Sequence, residues 1–193
     1  MLTSILKRLF FIAGTGMLGY AIFTIVEARM IQRYEASQFD RTLALPADLR
    51  TAHVSGGPIA KLVIPSAGIS SMVLEGDDDG TLKVAPGHMP GTSLPGQNGN
   101  VAIAGHRDTF FRNLERIRNG DFVKLTTLKG TYEYKVDSIQ VVDPARTDVL
   151  ESSGSPTLTL VTCYPFHWIG PAPKRFIVHG RLVRPGLSAA EKG

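Results

Sequence analysis

The chain has 193 residues, of which 43% are hydrophobic and 20% charged, as expected for one folded domain with additional segments. Its net charge is +4, and no long run of lysine or arginine indicates a nucleic-acid-binding arm. The single cysteine excludes an intramolecular disulfide bond and a zinc site built on cysteine pairs.

A transmembrane helix is predicted near the N-terminus. Residues 9–26 read LFFIAGTGMLGYAIFTIV, without a charge, and as a helix they span about 27 Å, close to the hydrocarbon thickness of a bilayer. The apolar part of a cleaved signal peptide is shorter, roughly 7–15 residues, so we expect an uncleaved anchor. Lys7 and Arg8 precede this segment, whereas the charges after it cancel. The positive-inside rule then predicts a single-pass membrane protein with residues 1–8 in the cytoplasm and the remainder outside.

Residues 27–58 are predicted to be a stalk and a linker. Residues 28–45 are polar and compatible with a helix that extends from the membrane. Residues 46–58 have little apolar content and contain prolines and glycines, which favour an irregular linker.

The pattern changes to that of strands from residue 59 onward. Short apolar or alternating runs separated by turn residues predict strands at 60–64, 69–74, 101–104, 122–127, 131–142, 157–163 and 175–183. An acidic turn is predicted at 76–80, a long Gly/Pro-rich loop at 83–100, and at most two helical turns at 109–118. Many short strands with few helices indicate a closed or nearly closed β-barrel over 59–184, followed by a polar tail at 185–193.

Cys163 is a candidate nucleophile. It ends a predicted strand and precedes Tyr164 and Pro165, and a proline cannot continue a β ladder, so the thiol is expected at a sheet edge or barrel rim. An unpaired cysteine in an exported protein is a reactive thiol, an intermolecular link or a buried, inert side chain. The position alone leaves these alternatives open.

Candidate partners for the thiol are histidines and an arginine. The histidines are at positions 53, 88, 106, 167 and 179. His106 follows a strand end and Gly105, whose small size leaves room for an approaching partner. His179 lies on the face of Arg175 but about 13 Å from it at 3.3 Å per residue, so a base that meets both Cys163 and Arg175 should come from another strand. Arg175 itself is either a solvent-facing strand residue or a donor to a developing oxyanion.

Three segments resemble the catalytic motifs of sortases, the cysteine transpeptidases of bacterial surfaces. Residues 159–163, TLVTC, resemble the TLxTC signature of that family. Residues 105–109, GHRDT, are similar to the segment around its catalytic histidine, and residues 174–178, KRFIV, resemble the strand that supplies its catalytic arginine. The order of the three agrees with the family, and the resemblance is greatest to class D.

The resemblance implies an eight-stranded barrel and a two-step transpeptidation. Cys163 is then the nucleophile, His106 the acid and base, and Arg175 the oxyanion donor. The implied substrates are exported proteins with a C-terminal sorting signal of the Leu-Pro-x-Thr-Gly kind, cleaved after Thr through a thioester. The implied acceptor is an amine of cell-wall peptide or of a pilin lysine. We expect no cofactor, metal site or nucleic-acid partner, and the sequence leaves calcium dependence open.

Two other classes of function fit the same sequence less well. One is an exported metal-binding module that uses Cys163, His106 and His179, although the chain lacks a close-spaced pair of ligands. The other is a non-catalytic assembly module on the same barrel, since a fold alone does not determine activity. The acidic residues 77–79 are a weak candidate for calcium, and we expect a solvated turn there.

Overall fold

The computed structural model describes residues 2–45, 57–151 and 154–187. The α-helices are α1 (Leu2–Leu43) and α2 (Asp79–Val84), and 3₁₀ helices occur at Pro65–Ala67, Arg112–Arg116 and Asp148–Leu150. The strands are β1 (Ala60–Ile64), β2 (Ile69–Glu75), β3 (Gly87–His88), β4 (Asn100–Ala104), β5 (Phe122–Thr127), β6 (Gly130–Val142), β7 (Thr157–Tyr164) and β8 (Lys174–Leu187).

The eight strands close into a barrel in the order β1-β2-β3-β4-β7-β8-β6-β5, which confirms the predicted fold. The pairs β2–β3 and β4–β7 are parallel, and the other neighbours are antiparallel. Side chains alternate between the interior and the outer surface because successive residues of a strand point to opposite faces. On β7, Leu158 and Leu160 belong to the core, so Val161 and Cys163 take the outer face.

The barrel interior is filled by aliphatic side chains from every long strand. Leu62 of β1, Leu125 of β5 and Leu160 of β7 have no exposed surface. Phe111 and Leu114, from the segment that follows β4, are also fully buried. Burial of each such side chain stabilises the fold by about 1.5–3 kcal/mol relative to an exposed position.

Helix α1 continues without interruption from the predicted membrane segment into the predicted stalk. The apolar residues of its membrane segment are exposed, and a window of mean hydropathy 2.0 within Thr3–Leu43 makes it long and apolar enough to cross a membrane. The second half differs from a free stalk because it packs on the barrel. The side-chain amide of Gln32 pairs with the backbone N–H and carbonyl of Met72 at 2.7 and 3.2 Å.

The short length of β3 explains this contact. β3 pairs only with Leu74 and Glu75 of β2. Within the part of the chain that the structure describes, no strand lies beside Met72 on this edge of β2, and Gln32 supplies the missing donor and acceptor. Gln32 also donates to the Val84 carbonyl at 3.1 Å. About two helical turns further along α1, Phe39 is 3% exposed and is therefore covered by neighbouring parts of the chain.

Two predicted loops contain regular structure. The acidic turn predicted at 76–80 leads instead into α2, because the Asp78 carboxylate accepts from the Gly80 and Thr81 N–H groups at 2.9 and 3.1 Å and caps the helix. The hydroxyl of Thr81 also donates to this carboxylate, and these bonds hold the pKa of Asp78 below its usual value. The loop predicted at 83–100 begins inside α2 and contains β3.

The last strand is longer than predicted. β8 extends to Leu187, which pairs with Thr131 of β6, so the polar tail predicted to begin at residue 185 does not begin there. Pro185 is tolerated because β7 pairs with β8 only as far as Arg181. Beyond this point β6 is the one strand neighbour of β8 among the described residues. Residues 188–193, and residues 46–56 of the predicted linker, lie outside the described residues.

Candidate active site

Three neighbouring strands bring the predicted site residues to one end of the barrel. Cys163 of β7 is the register partner of Arg175 on β8. On the other side of β7, Ala104 of β4 pairs with Val161, and the Gly105 N–H continues the ladder with a 3.1 Å bond to the Val161 carbonyl. His106 therefore follows the end of β4 at the level of Cys163, with adjacent strands about 4.8 Å apart.

Cys163 is a free, half-buried thiol on the outer face of β7. Below it, the rings of Tyr164, Phe166 and Phe176 form a cluster with centroids 5.1–6.2 Å apart, which packs against the core and supports this end of the barrel. The peptide bond between Tyr164 and Pro165 is cis. The thiol thus lies above an apolar, well-packed floor.

The backbone around His106 is fixed by local contacts. The Thr162 hydroxyl donates to the Gly105 carbonyl at 2.7 Å, and the Phe111 N–H donates to the His106 carbonyl at 3.0 Å. A Cβ added to Gly105 would lie 2.7 Å from the Phe111 ring, so the glycine is needed for this ring of the same chain rather than for an incoming partner. The imidazole of His106 is half-buried and has no hydrogen-bond partner among the described residues.

Arg175 is half-buried and anchored locally. Its Nη1 donates to the carbonyls of Ala172 and Lys174 at 3.3 and 3.1 Å. The Nη2 and Nε atoms have no hydrogen-bond partner within the described part of the chain, so they remain available to another acceptor. The neighbouring Lys174 pairs with Asp143 at 2.6 Å.

The remaining described histidines have other surroundings. His88 is buried and lies 2.9 Å from a Glu75 carboxylate oxygen, and His167 is exposed and lies 3.2 Å from Glu115. His179 forms a 3.0 Å hydrogen bond with the Thr159 hydroxyl, and burial lowers the pKa of its imidazole. His53 lies outside the described residues. Among the described residues, His106 is thus the histidine that follows the strand beside Cys163.

A cavity of about 490 Å³ lies further along the same outer face, and Cys163 does not line it. Its walls include Thr159, His179 and the ion pair of Arg146 with Asp148, whose nearest atoms are 2.6 Å apart. Thr159 is about 13 Å from Cys163 along β7 at 3.3 Å per residue. The cavity is polar and separate from the thiol, so the candidate chemistry belongs to the Cys163 end of the strands.

The described residues offer no converging set of metal ligands. No group of three His, Cys, Asp or Glu side chains in residues 2–45, 57–151 and 154–187 is close enough to hold a metal ion. His179 is the register partner of Thr159, which separates it from Cys163 by four strand positions. The metal-binding alternative built on Cys163, His106 and His179 therefore has no support in this geometry.

Arg107 belongs to the site, although the sequence did not single it out. Its guanidinium donates to the carbonyls of Pro165, Trp168 and Gly170, each at 3.0 Å. All three acceptors lie in the loop that joins β7 to β8. The one signal in the sequence is that Arg107 directly follows His106, which does not reveal partners some sixty positions away.

Residues 62–183 match the family model for the sortase domain. Sortase D of Bacillus subtilis (strain 168) is 34% identical over 123 residues, which cover 63% of this chain and 62% of that protein. Sortase A of Bacillus anthracis is 29% identical over 129 residues, which cover 65% of this chain and 60% of that protein. The chain thus spans less than two thirds of the length of these two relatives.

Solved structures resemble the fold over most of their length. A Clostridium perfringens sortase D5, described as a transpeptidase, has a TM-score of 0.71 and 29% identity, and the match covers 80% of this chain and 99% of that one. Sortase C-1 of Actinomyces oris has a TM-score of 0.62 and 33% identity, with 72% of this chain and 83% of that one covered.

Proposed function

The chain belongs to the sortase family, and on this basis we propose that it is a membrane-anchored cysteine transpeptidase with Cys163 as its nucleophile. The observation that carries the proposal is the strand register: Cys163 pairs with Arg175 on one side, and His106 follows the strand on the other side. A thiol, an imidazole and a guanidinium at one end of the barrel can supply the nucleophile, the acid and base, and the oxyanion donor of acyl transfer.

The first half of the reaction forms a thioester. The Cys163 thiolate attacks the carbonyl carbon of the Thr–Gly bond in a signal of the Leu-Pro-x-Thr-Gly kind. Negative charge develops on the carbonyl oxygen, and the unpartnered guanidinium nitrogens of Arg175 donate hydrogen bonds to it. As the C–N bond breaks, His106 gives its proton to the leaving glycine amine. The threonine carbonyl is then joined to the sulfur of Cys163.

The second half transfers the acyl group. An amine of the acceptor attacks the thioester carbon and passes its proton to His106, and the C–S bond breaks to regenerate the thiolate. The product is an amide between the threonine and the acceptor. Water in place of the amine gives hydrolysis as a side reaction.

An apolar strip beside the thiol supports a substrate of this class. Ala104 of β4 and Val161 of β7 are half-buried register partners, two strand positions from Cys163 on β7, whereas Ile177 beside them on β8 is only 1% exposed. Their side chains share the outer face with the thiol because strand residues alternate. Leucine and proline side chains of a sorting signal match such a surface better than charged residues do.

The N-terminal helix supports attachment to the cell membrane. The apolar segment at residues 9–26 is exposed in α1, and Lys7 and Arg8 precede it. The proposed topology has a cytoplasmic N-terminus and a catalytic domain at residues 59–184 outside the membrane. The proposed substrates are exported proteins with a sorting signal, and the acceptor is an amine of cell-wall peptide or of a pilin lysine.

A transfer assay tests the proposal. The full-length chain in detergent is incubated with a labelled peptide containing Leu-Pro-x-Thr-Gly, with and without a glycine-based amine, and the products are identified by mass spectrometry. The expected product is the fragment ending in Thr joined to the amine. A peptide with a scrambled motif and the Cys163→Ala chain serve as controls. Transfer that is unaffected by Cys163→Ala would refute the assignment of the nucleophile.

A further inference from the structure

Arg107 connects the two segments that carry the proposed acid and nucleophile. It is the next residue after His106, and its Nη1 donates to the carbonyl of Pro165, two residues after Cys163. Its Nη2 donates to the carbonyls of Trp168 and Gly170, each at 3.0 Å. One planar side chain thus holds both the beginning and the middle of the β7–β8 loop.

These three carbonyls lie outside the strand ladders, and one guanidinium donates to all of them. Arginine presents several N–H groups in a rigid fork, whereas lysine offers one charged nitrogen on a flexible stem. A second link between the same regions, from His167 to Glu115, is exposed and is therefore expected to contribute little. Among the described residues, Arg107 makes the side-chain hydrogen bonds between the loop and the segment after β4, and the bond to Pro165 is the part-buried one.

We propose that Arg107 is a positioning residue that fixes the distance between the His106 imidazole and the Cys163 thiol. This inference rests on the proposed function of these two side chains. The backbone before His106 is held by the Gly105 contacts to β7, so Arg107 fixes the other end of the same short segment. Without the guanidinium, the three hydrogen bonds between this segment and the loop after Cys163 are lost, and the position of the imidazole relative to the thiol is less restricted.

The magnitude follows from the sensitivity of proton transfer to geometry. A displacement of about 1 Å in a catalytic group can reduce a rate by roughly 10²-fold. Arg107→Ala is expected to lower kcat for peptide cleavage by at least about tenfold while KM changes much less. Arg107→Lys keeps the charge but not the fork, and it is expected to recover only a small part of the loss.

Kinetics on the full-length chain in detergent test this expectation. Arg116→Ala is the matched control because Arg116 is exposed on the 3₁₀ helix Arg112–Arg116 and has no side-chain hydrogen bond within the described residues. The control should retain the parent kcat and KM. The proposal is overturned if Arg107→Ala keeps the parent kcat, if it raises KM alone, or if Arg116→Ala loses as much activity.

A substrate-free measurement separates this inference from the proposed function. The rate at which iodoacetamide alkylates Cys163 is measured from pH 5 to 9 for the parent, His106→Ala, Arg107→Ala and the double variant. The parent and His106→Ala should give different alkylation profiles. Arg107→Ala and the double variant should differ much less from each other. Arg107 does not position this pair if His106→Ala changes the alkylation profile as much in the Arg107→Ala background as in the parent. The same conclusion follows if His106→Ala has no effect in the parent. If the alkylation profiles are as expected but the parent chain does not cleave the Leu-Pro-x-Thr-Gly peptide, the proposed substrate class is refuted instead.

Discussion

The contact between the membrane helix and the barrel makes a quantitative prediction about stability. Phe39 of α1 is 3% exposed, so Phe39→Ala removes a ring from a covered site. Substitutions of buried phenylalanine by alanine cost about 3–5 kcal/mol, and the lower value is appropriate for a helix on the outside of a barrel. A loss of about 3 kcal/mol corresponds to a decrease in Tm of about 6–12 °C for a chain of this size.

Thermal unfolding of the full-length chain in detergent measures this effect, with near-ultraviolet circular dichroism as the signal for the barrel. Tyr34→Ala is the control, because Tyr34 lies on the same helix and is 62% exposed. It should leave the Tm within about 2 °C of the parent, as expected for a surface substitution. If Phe39→Ala and Tyr34→Ala unfold at the same temperature as the parent, Phe39 does not contribute to the contact between α1 and the barrel.

Three further predictions concern catalysis, pH and the anchor. Arg175→Ala and Arg175→Lys should each lower kcat by about 10²–10³-fold, as for loss of an oxyanion donor. The control Lys174→Ala should have little effect. A change in KM alone after Arg175→Ala would contradict this role and indicate a substrate clamp. Burial lowers the pKa of His179 from its usual 6.5, so this imidazole binds a proton more readily in the unfolded chain than in the folded chain. The contribution of His179 to stability should therefore be fully present above about pH 6.5 and be lost as the pH falls. Urea unfolding at pH 7.5 and 5 should show a smaller decline for His179→Gln, and an equal decline would contradict this origin. Removal of residues 1–29 deletes the membrane segment but keeps Gln32 and Phe39, which contact the rest of the domain. The product should be soluble and cleave peptide at the parent rate. An aggregated or inactive product would contradict this.

The barrel is largely predictable because its strands carry their own signals. The hairpin of β5 and β6 was predicted nearly to the residue from two alternating runs around Lys129 and Gly130. β3 was missed because two residues, Gly87 and His88, are too few for any periodicity. The contact of α1 with the barrel was missed because it depends on an unpaired edge of β2, which exists only once the barrel is assembled.

The proximity of the site residues depends on long-range pairing that local patterns do not encode. The parallel pairing of β4 with β7 joins segments more than fifty positions apart, so spacing alone does not bring His106 towards Cys163. Only the resemblance to a family selected His106 from the five histidines. The hydrogen bonds of Arg107 were not predictable for a similar reason, because their acceptors are backbone carbonyls of a loop, which any residue type provides.

The most direct test of the account is detection of an acyl group on Cys163. The full-length chain in detergent is mixed with a Leu-Pro-x-Thr-Gly peptide, quenched with acid and analysed by intact-protein mass spectrometry and peptide mapping. The account predicts a mass increase equal to the N-terminal peptide fragment through Thr less one water, located on Cys163 and removed by hydroxylamine. Peptide cleavage at the parent rate by the Cys163→Ala chain, or an adduct located on another residue, would contradict it.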